Sequence, residues 1–249
     1  MTGIATIYRR ELSGLFFAPL AWVLLCLGLL YNGFFFLFYL KSGGGLVNQA
    51  FELTLGGGLP FWFLMVMLPP LVTMRMISEE SRSGMLEFLL TAPVRDAAVV
   101  LGKAAAATTF LALFYATVPL YGVVLAALGA PPDWGQLATG YAGAVLTGAL
   151  FSSLGLFASA LSGTPLLAAF LATLANLAVV FLPVASGGVR GFAPRVFDWI
   201  TRRADVVGAF RGSFLTGALD SAHVVFFLAW TAVFLFAAAR AVEARRFSW

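Results

Sequence analysis

Residues 78–94, SEESRSGMLEFLLTAPV, gather Glu79, Glu80, Arg82 and Glu87 between two strongly apolar stretches of a chain that is only 10% charged. Carboxylates beside an arginine form ion pairs and charge-assisted hydrogen bonds. Catalysis would need a nucleophile with a base at its side, or an acid–base pair held around a substrate, and this segment contains no such set. The chemistry on offer is docking against a complementary surface, with a solvated connector as the alternative. Ser78 stands where it would cap a short helix whose first turn carries Glu79 and Glu80 against the helix dipole. Pro93 closes the segment, and Gly102-Lys103 lead into the next apolar run.

Other reactive types are sparse. His223 is the single histidine, it lies at the edge of an apolar run, and no G-x-S-x-G motif occurs, which disfavours an intramembrane serine protease. Met65, Met67, Met74 and Met76 read as packing filler rather than a soft-metal ladder. The glycine-rich stretch from Ser42 to Gly58 reads as a loop, and its Gly-Gly-Gly at 43–45, not followed by Gly-Lys-Ser/Thr, as a flexible turn; without a Walker motif the chain is not expected to hydrolyse ATP. A lone Cys26 excludes an intrachain disulfide and a cysteine metal cluster. The expectation is no catalytic, metal or cofactor residue in this chain.

What positions the charged segment is a membrane. The 249 residues are 61% hydrophobic and 15% aromatic, and mean hydropathy is strongly positive. Uncharged runs exceed the roughly 20 residues that cross a bilayer as a helix. They lack the every-second-residue alternation of barrel strands, so the backbone must satisfy itself in helices. The fold class expected is an all-α polytopic membrane protein, one transmembrane domain over residues 1–249. Its six spans are placed at 19–40, 59–76, 104–129, 137–161, 166–186 and 223–239. No charge occurs from Trp134 to Val189, and Ser162-Gly163-Thr164-Pro165 is the break inside that run.

Residues 3–17 set Ile4, Tyr8, Leu12 and Leu15 on one helical face, with Thr6, Arg9, Arg10 and Ser13 opposite. Such a helix lies in the membrane interface or packs on the rest of the protein, and the two are compatible. The run after Arg9-Arg10 is too long for a signal peptide and is read as a retained span. Residues 187–222 set Phe192, Phe197, Trp199, Phe210 and Phe214 among arginines, a mixture suited to anchoring at the opposite interface.

An even number of spans puts both termini on one side, and nine of the fifteen Lys and Arg residues share that side. The positive-inside rule then makes the termini and the segment 78–94 cytoplasmic. The net charge of +4 is scattered between spans, which points to topology rather than nucleic-acid binding. Span centres without ionisable groups disfavour a stand-alone ion-coupled carrier. Gly140, Ala144, Gly148 and Ser152 recur every four residues and mark a face for close packing, against a helix of this chain or of a second copy.

The stretch LPPLVTMRMISEESRSGMLEFLLTAPVRDAAVVLGK, residues 68–103, resembles the signature region of ABC type-2 export permeases. It is most similar to the gliding-motility (GldF) type, with nitrous-oxide-reductase maturation permeases more distant. The ending GALDSAHVVFFLAWTAVFLFAAARAVEARRFSW, residues 217–249, is similar to the last span and tail of the same group. Met85 departs from the pattern, which commonly has threonine after the glycine.

The resemblance implies a non-catalytic permease subunit of the bacterial inner membrane, performing export or mechanical work. Its coupling helix would seat in a groove of a separate ABC ATPase; by position this is Glu79, Glu80, Arg82, Ser83, Gly84, Met85 and Glu87. The N-terminal helix with Arg9, Arg10 and Glu11 would be a second contact. ATP and Mg would bind on the ATPase, not on this chain. Further implied partners are a second permease copy or related subunit, a GldG-like auxiliary protein and membrane lipids, and the loop 187–222 would dip back into the outer leaflet. The rival reading is a membrane anchor or assembly scaffold for an envelope machine that transports nothing.

Overall fold

Pro19 opens the first long helix and Lys41 lies in its last turn, the arrangement that a fixed proline φ and the helix dipole favour. The computed structural model describes residues 2–82, 96–186 and 204–246. Within them the chain forms α1 (Thr2–Phe17), α2 (Pro19–Ser42), α3 (Val47–Glu52), a π-helical turn (Leu53–Gly57), α4 (Leu59–Thr73) and α5 (Ser78–Arg82). Then follow α6 (Asp96–Tyr115), α7 (Thr117–Ala127), α8 (Trp134–Leu161), α9 (Pro165–Ser186), α10 (Val206–Ser213) and α11 (Ser221–Arg246). No strand occurs among the described residues.

Five stretches are long and apolar enough to cross a bilayer: Pro19–Ser42, Val47–Arg82, Asp96–Ala127, Trp134–Leu161 and Ser221–Ala244. The remaining expected span, the fifth in chain order, falls on α9, whose apolar stretch Pro165–Phe181 is shorter. Helix α8 is the axis of the bundle, with α4, α6, α9 and α11 packed around it. Its apolar stretch is 72% buried, against 17% for α2 and 11% for α11. Lipid tails are as apolar as leucine, so close contact and interhelical hydrogen bonds, rather than water exclusion, hold such a bundle.

The small-residue face of α8 supplies that close contact. A side-chain carbon at Gly140 would meet Leu55, and one at Gly148 would sit 3.3 Å from a Leu111 methyl; Ala144 and Ser152 have no exposed surface. All four residues therefore face the interior of this chain, and the face is not free to pair with a second copy. The same stripe continues through Gly155 to Ser159 at the end of the helix.

Helix α4 carries Pro69 and Pro70, which cannot donate to the carbonyls of Met65 and Val66. The Asn176 amide on α9 reaches the Val66 carbonyl at 3.5 Å, and Thr73 turns its hydroxyl onto the Pro69 carbonyl at 2.8 Å. Met65 and Met76 pack in the core beside them.

Two expected loops are folded. Beyond the turn at Gly44 and Gly45, the glycine-rich stretch after α2 forms α3 and the π-turn, with Phe51 and Leu55 buried. Gly56 there has φ 137°, and any side chain would strike the Phe210 ring. Phe210 and Phe214 are fully buried against Phe61, Trp62 and Phe227 rather than anchored at an interface. The rings could leave the surface because Asp205 caps α10 at the Gly208 amide, 2.7 Å away, while Arg211 donates to the Gly57 carbonyl at 3.0 Å. Phe192, Phe197 and Trp199 lie outside the described residues.

Helix α6 starts at Asp96, eight residues before the expected span, so Lys103 belongs to the helix body and not to a connector. On α1, Ile7 is buried whereas Ile4 is exposed: the packed face is rotated from the expected one because α1 lies against α6. A side chain at Gly102 would strike Ile7, so glycine permits this close approach.

Candidate functional site

The charged segment begins in a turn fastened to the end of α8. Ser159, wholly buried, accepts from the Ser78 amide at 3.1 Å and the Ile77 amide at 3.3 Å, and it donates to the Met74 carbonyl at 3.1 Å. Ser78 also departs from the expected cap. Its hydroxyl turns back to the Met74 carbonyl at 2.5 Å, and the Ser81 amide donates to the Ile77 carbonyl, so α5 follows α4 through one tight turn. Burying an amide without an acceptor costs about 1–3 kcal/mol. Ser159 removes that cost for the exit from α4.

The second fastening is electrostatic. Lys103 on α6 has no exposed side-chain surface, and its ammonium has three donors to satisfy. It donates to Glu11 Oε1 at 2.9 Å and to the Met76 carbonyl oxygen at 2.7 Å, and it forms an ion pair with Glu80 Oε2 at 2.8 Å. Arg10 closes the set from α1, with Glu11 at 2.7 Å and Glu80 at 2.5 Å. Two cations and two carboxylates thus join α1, α5 and α6 in a neutral cluster. Partial burial lowers the Arg10 pKa, but hydrogen bonds and charge from Glu11 and Glu80 outweigh it and hold the guanidinium above its ordinary value. Tyr8 adds a hydroxyl contact to Thr109 at 3.3 Å along the same α1–α6 seam.

Around this inward cluster other charges point outward. Glu79 is 58% exposed and its neighbour Arg75 63%, and the two are only loosely paired at 4.0 Å. Arg82 and Arg9 are also exposed. Of the residues expected to contact a partner, Arg10, Glu11 and Glu80 are thus drawn together internally, while Arg9, Glu79 and Arg82 are exposed. Ser83, Gly84, Met85 and Glu87 lie outside the described residues. The packing residues Gly140, Ala144, Gly148 and Ser152 are remote from the cluster in sequence, but their stripe leads to Ser159.

Lys103 and Ser159 escaped the sequence reading. Lys103 was legible in principle: a single cation opening a long uncharged run needs carboxylates at its own depth, and Glu11 and Glu80 are the carboxylates flanking the two neighbouring spans. Ser159 extends the small-residue stripe of Ser152 and Gly155, yet a buried serine carries no signal of what it will bond.

These contacts tie α5 to α1 and α6 through ion pairs, and tie the turn that leads into it to α8 through Ser159. The family model described as ABC-2 family transporter protein matches residues 7–248, nearly the whole chain. No curated protein matches it.

Proposed function

The chain belongs to the ABC-2 transporter family, and from that premise we propose that it is the permease subunit of an exporter driven by a separate ABC ATPase. Its apolar helices and the family together make it a multi-pass membrane protein. The observation that carries the coupling reading is the pair of fastenings on α5: the Arg10–Glu11–Glu80–Lys103 cluster and the Ser159 hydrogen bonds. A helix that only bridged two spans through water would not need both.

In this reading Glu79 and Arg82, which point outward, meet complementary charge in a groove of the ATPase, and Arg9 on α1 is a second contact. ATP and Mg bind on the ATPase; closure of its two subunits pushes α5, and the push reaches α6 and α8. Six spans, with α9 as the fifth, place both termini and α5 on the cytoplasmic side of a bacterial inner membrane. Two copies, or one copy and a related subunit, form the complete permease. The segments 68–103 and 217–249 support a gliding-motility type, with a GldG-like auxiliary protein as the further partner. The decisive experiment is affinity purification in mild detergent, identifying the chains that accompany this one. Recovery without any ATPase would leave the scaffold reading in place.

A further inference from the structure

A cleft of about 540 Å³ opens between α1, the start of α2, the end of α4 and α5. Its outer end is charged, with Arg10, Arg75 and Glu79, and its inner wall is apolar, with Leu24, Leu71 and Phe110. Leu24 lies five residues into α2, about 7.5 Å along the helix from Pro19. The cleft therefore runs from the level of the charged cluster into the depth of the spans. Behind the lining residue Phe110 lies Phe16, with ring centres 5.8 Å apart, and the Trp22 indole donates to the Phe16 carbonyl at 2.8 Å. A tryptophan tethered at this level is at home among headgroups.

We infer that this cleft holds one phospholipid of the surrounding bilayer, and that its charged end selects a headgroup carrying both a phosphate and an ammonium. The volume falls in the range of small-molecule sites. A partner helix 10–12 Å across would fill it with about one turn, too little for a transmembrane contact. Charge complementarity sets the headgroup. Arg10 is committed to Glu11 and Glu80, whereas Arg75 and Glu79 are both more than half exposed and only 4.0 Å apart. A phosphate on Arg75 with an ammonium on Glu79 satisfies both, whereas a purely anionic headgroup would bring its charge against Glu79. The inference rests on the membrane reading of the chain; it shares Glu79 with the proposed ATPase contact, whereas Arg75 and the apolar wall at Leu24 and Leu71 take no part in that contact.

The test uses the full-length protein with its co-purifying chains, stripped by detergent washes and returned to nanodiscs of phosphatidylethanolamine or phosphatidylglycerol. Native mass spectrometry then counts retained lipid. The expected result is one phosphatidylethanolamine per chain, with retention lowered at least tenfold by Arg75→Ala, which removes an exposed group, and by Leu24→Trp, which fills the apolar end. Melting curves of each variant report its folding, and Leu24→Trp decides alone if Arg75→Ala unfolds. Equal retention by wild type and variants overturns the site, and phosphatidylglycerol held as tightly overturns the headgroup assignment. A photo-crosslinker at Leu71 that captures the ATPase or a second copy in place of lipid overturns the occupant. Loss of the ATPase from the same preparation with lipid still bound would count against the coupling reading alone.

Discussion

Lys103 Nζ lies 2.8 Å from Glu80 Oε2, with the lysine side chain wholly buried and the glutamate only 16% exposed. This contact joins the helix after the charged segment to the short helix that begins it. Buried ion pairs are weak contributors to net stability but expensive to break on one side, since the surviving charge has no solvent to turn to. The pair therefore serves better as a rigid link than as a source of stability.

Lys103→Met should lower stability by about 3–5 kcal/mol, toward the lower end because Arg10 remains beside both carboxylates. Adding Glu80→Gln should recover part of the loss by removing one unpaired charge, a coupling that a double-mutant cycle reads directly. Thermal unfolding in detergent measures both. Additive losses would show that the two groups act independently.

Neighbouring glutamates should behave oppositely. Glu79→Lys changes an exposed group and should shift stability by no more than about 0.5 kcal/mol. If Glu79 meets a cation buried in the ATPase contact, the same change should weaken association by about 2–5 kcal/mol. Glu80→Lys places a third cation beside Arg10 and Lys103 and should destabilise the permease itself. Co-purification of the ATPase, beside melting curves of the permease alone, separates the cases, and full retention of the ATPase by Glu79→Lys would return α5 to a solvated connector.

Gly148→Leu should destabilise the single chain by about 1–3 kcal/mol or more, because the added carbons enter space held by Leu111. The folded fraction should keep its oligomeric mass. A variant with wild-type melting and altered mass would place this face between copies.

Topology is open to labelling in a Cys26→Ser background. Ala218→Cys should react with a membrane-impermeant maleimide in intact cells, and Arg82→Cys only after permeabilisation. Both positions are exposed in the structure. Reaction of both in intact cells is incompatible with six spans.

The apolar helices were legible because an uncharged run of bilayer length has few other fates. Within those runs, periodicity said less. The four-residue spacing of Gly140, Ala144 and Gly148 pointed to close packing, but nothing in the spacing named Leu55 and Leu111 as the partners. Glycine content misled at Gly56, where the residue is required by a buried ring and a left-handed backbone, not by flexibility. Phe210 and Phe214 among arginines looked interfacial because a linear reading cannot see α10 capped and turned inward. At the candidate site, the carboxylates stood out by local density. Their division into inward Glu80 and outward Glu79 depends on Lys103, which tertiary structure alone brings near.

The pairing of Lys103 with Glu11 also has a consequence for synthesis. The two residues are 92 positions apart in the chain. At elongation rates of about 5–20 residues per second, α1 waits roughly 5–20 s before its buried cation leaves the ribosome. For most of that interval Arg10 and Glu11 have only each other from the cluster, since Glu80 follows Arg10 by 70 positions. Final seating of α1 is thus a late event, deferred until the helix carrying Lys103 has been inserted, although α1 precedes that helix in the chain.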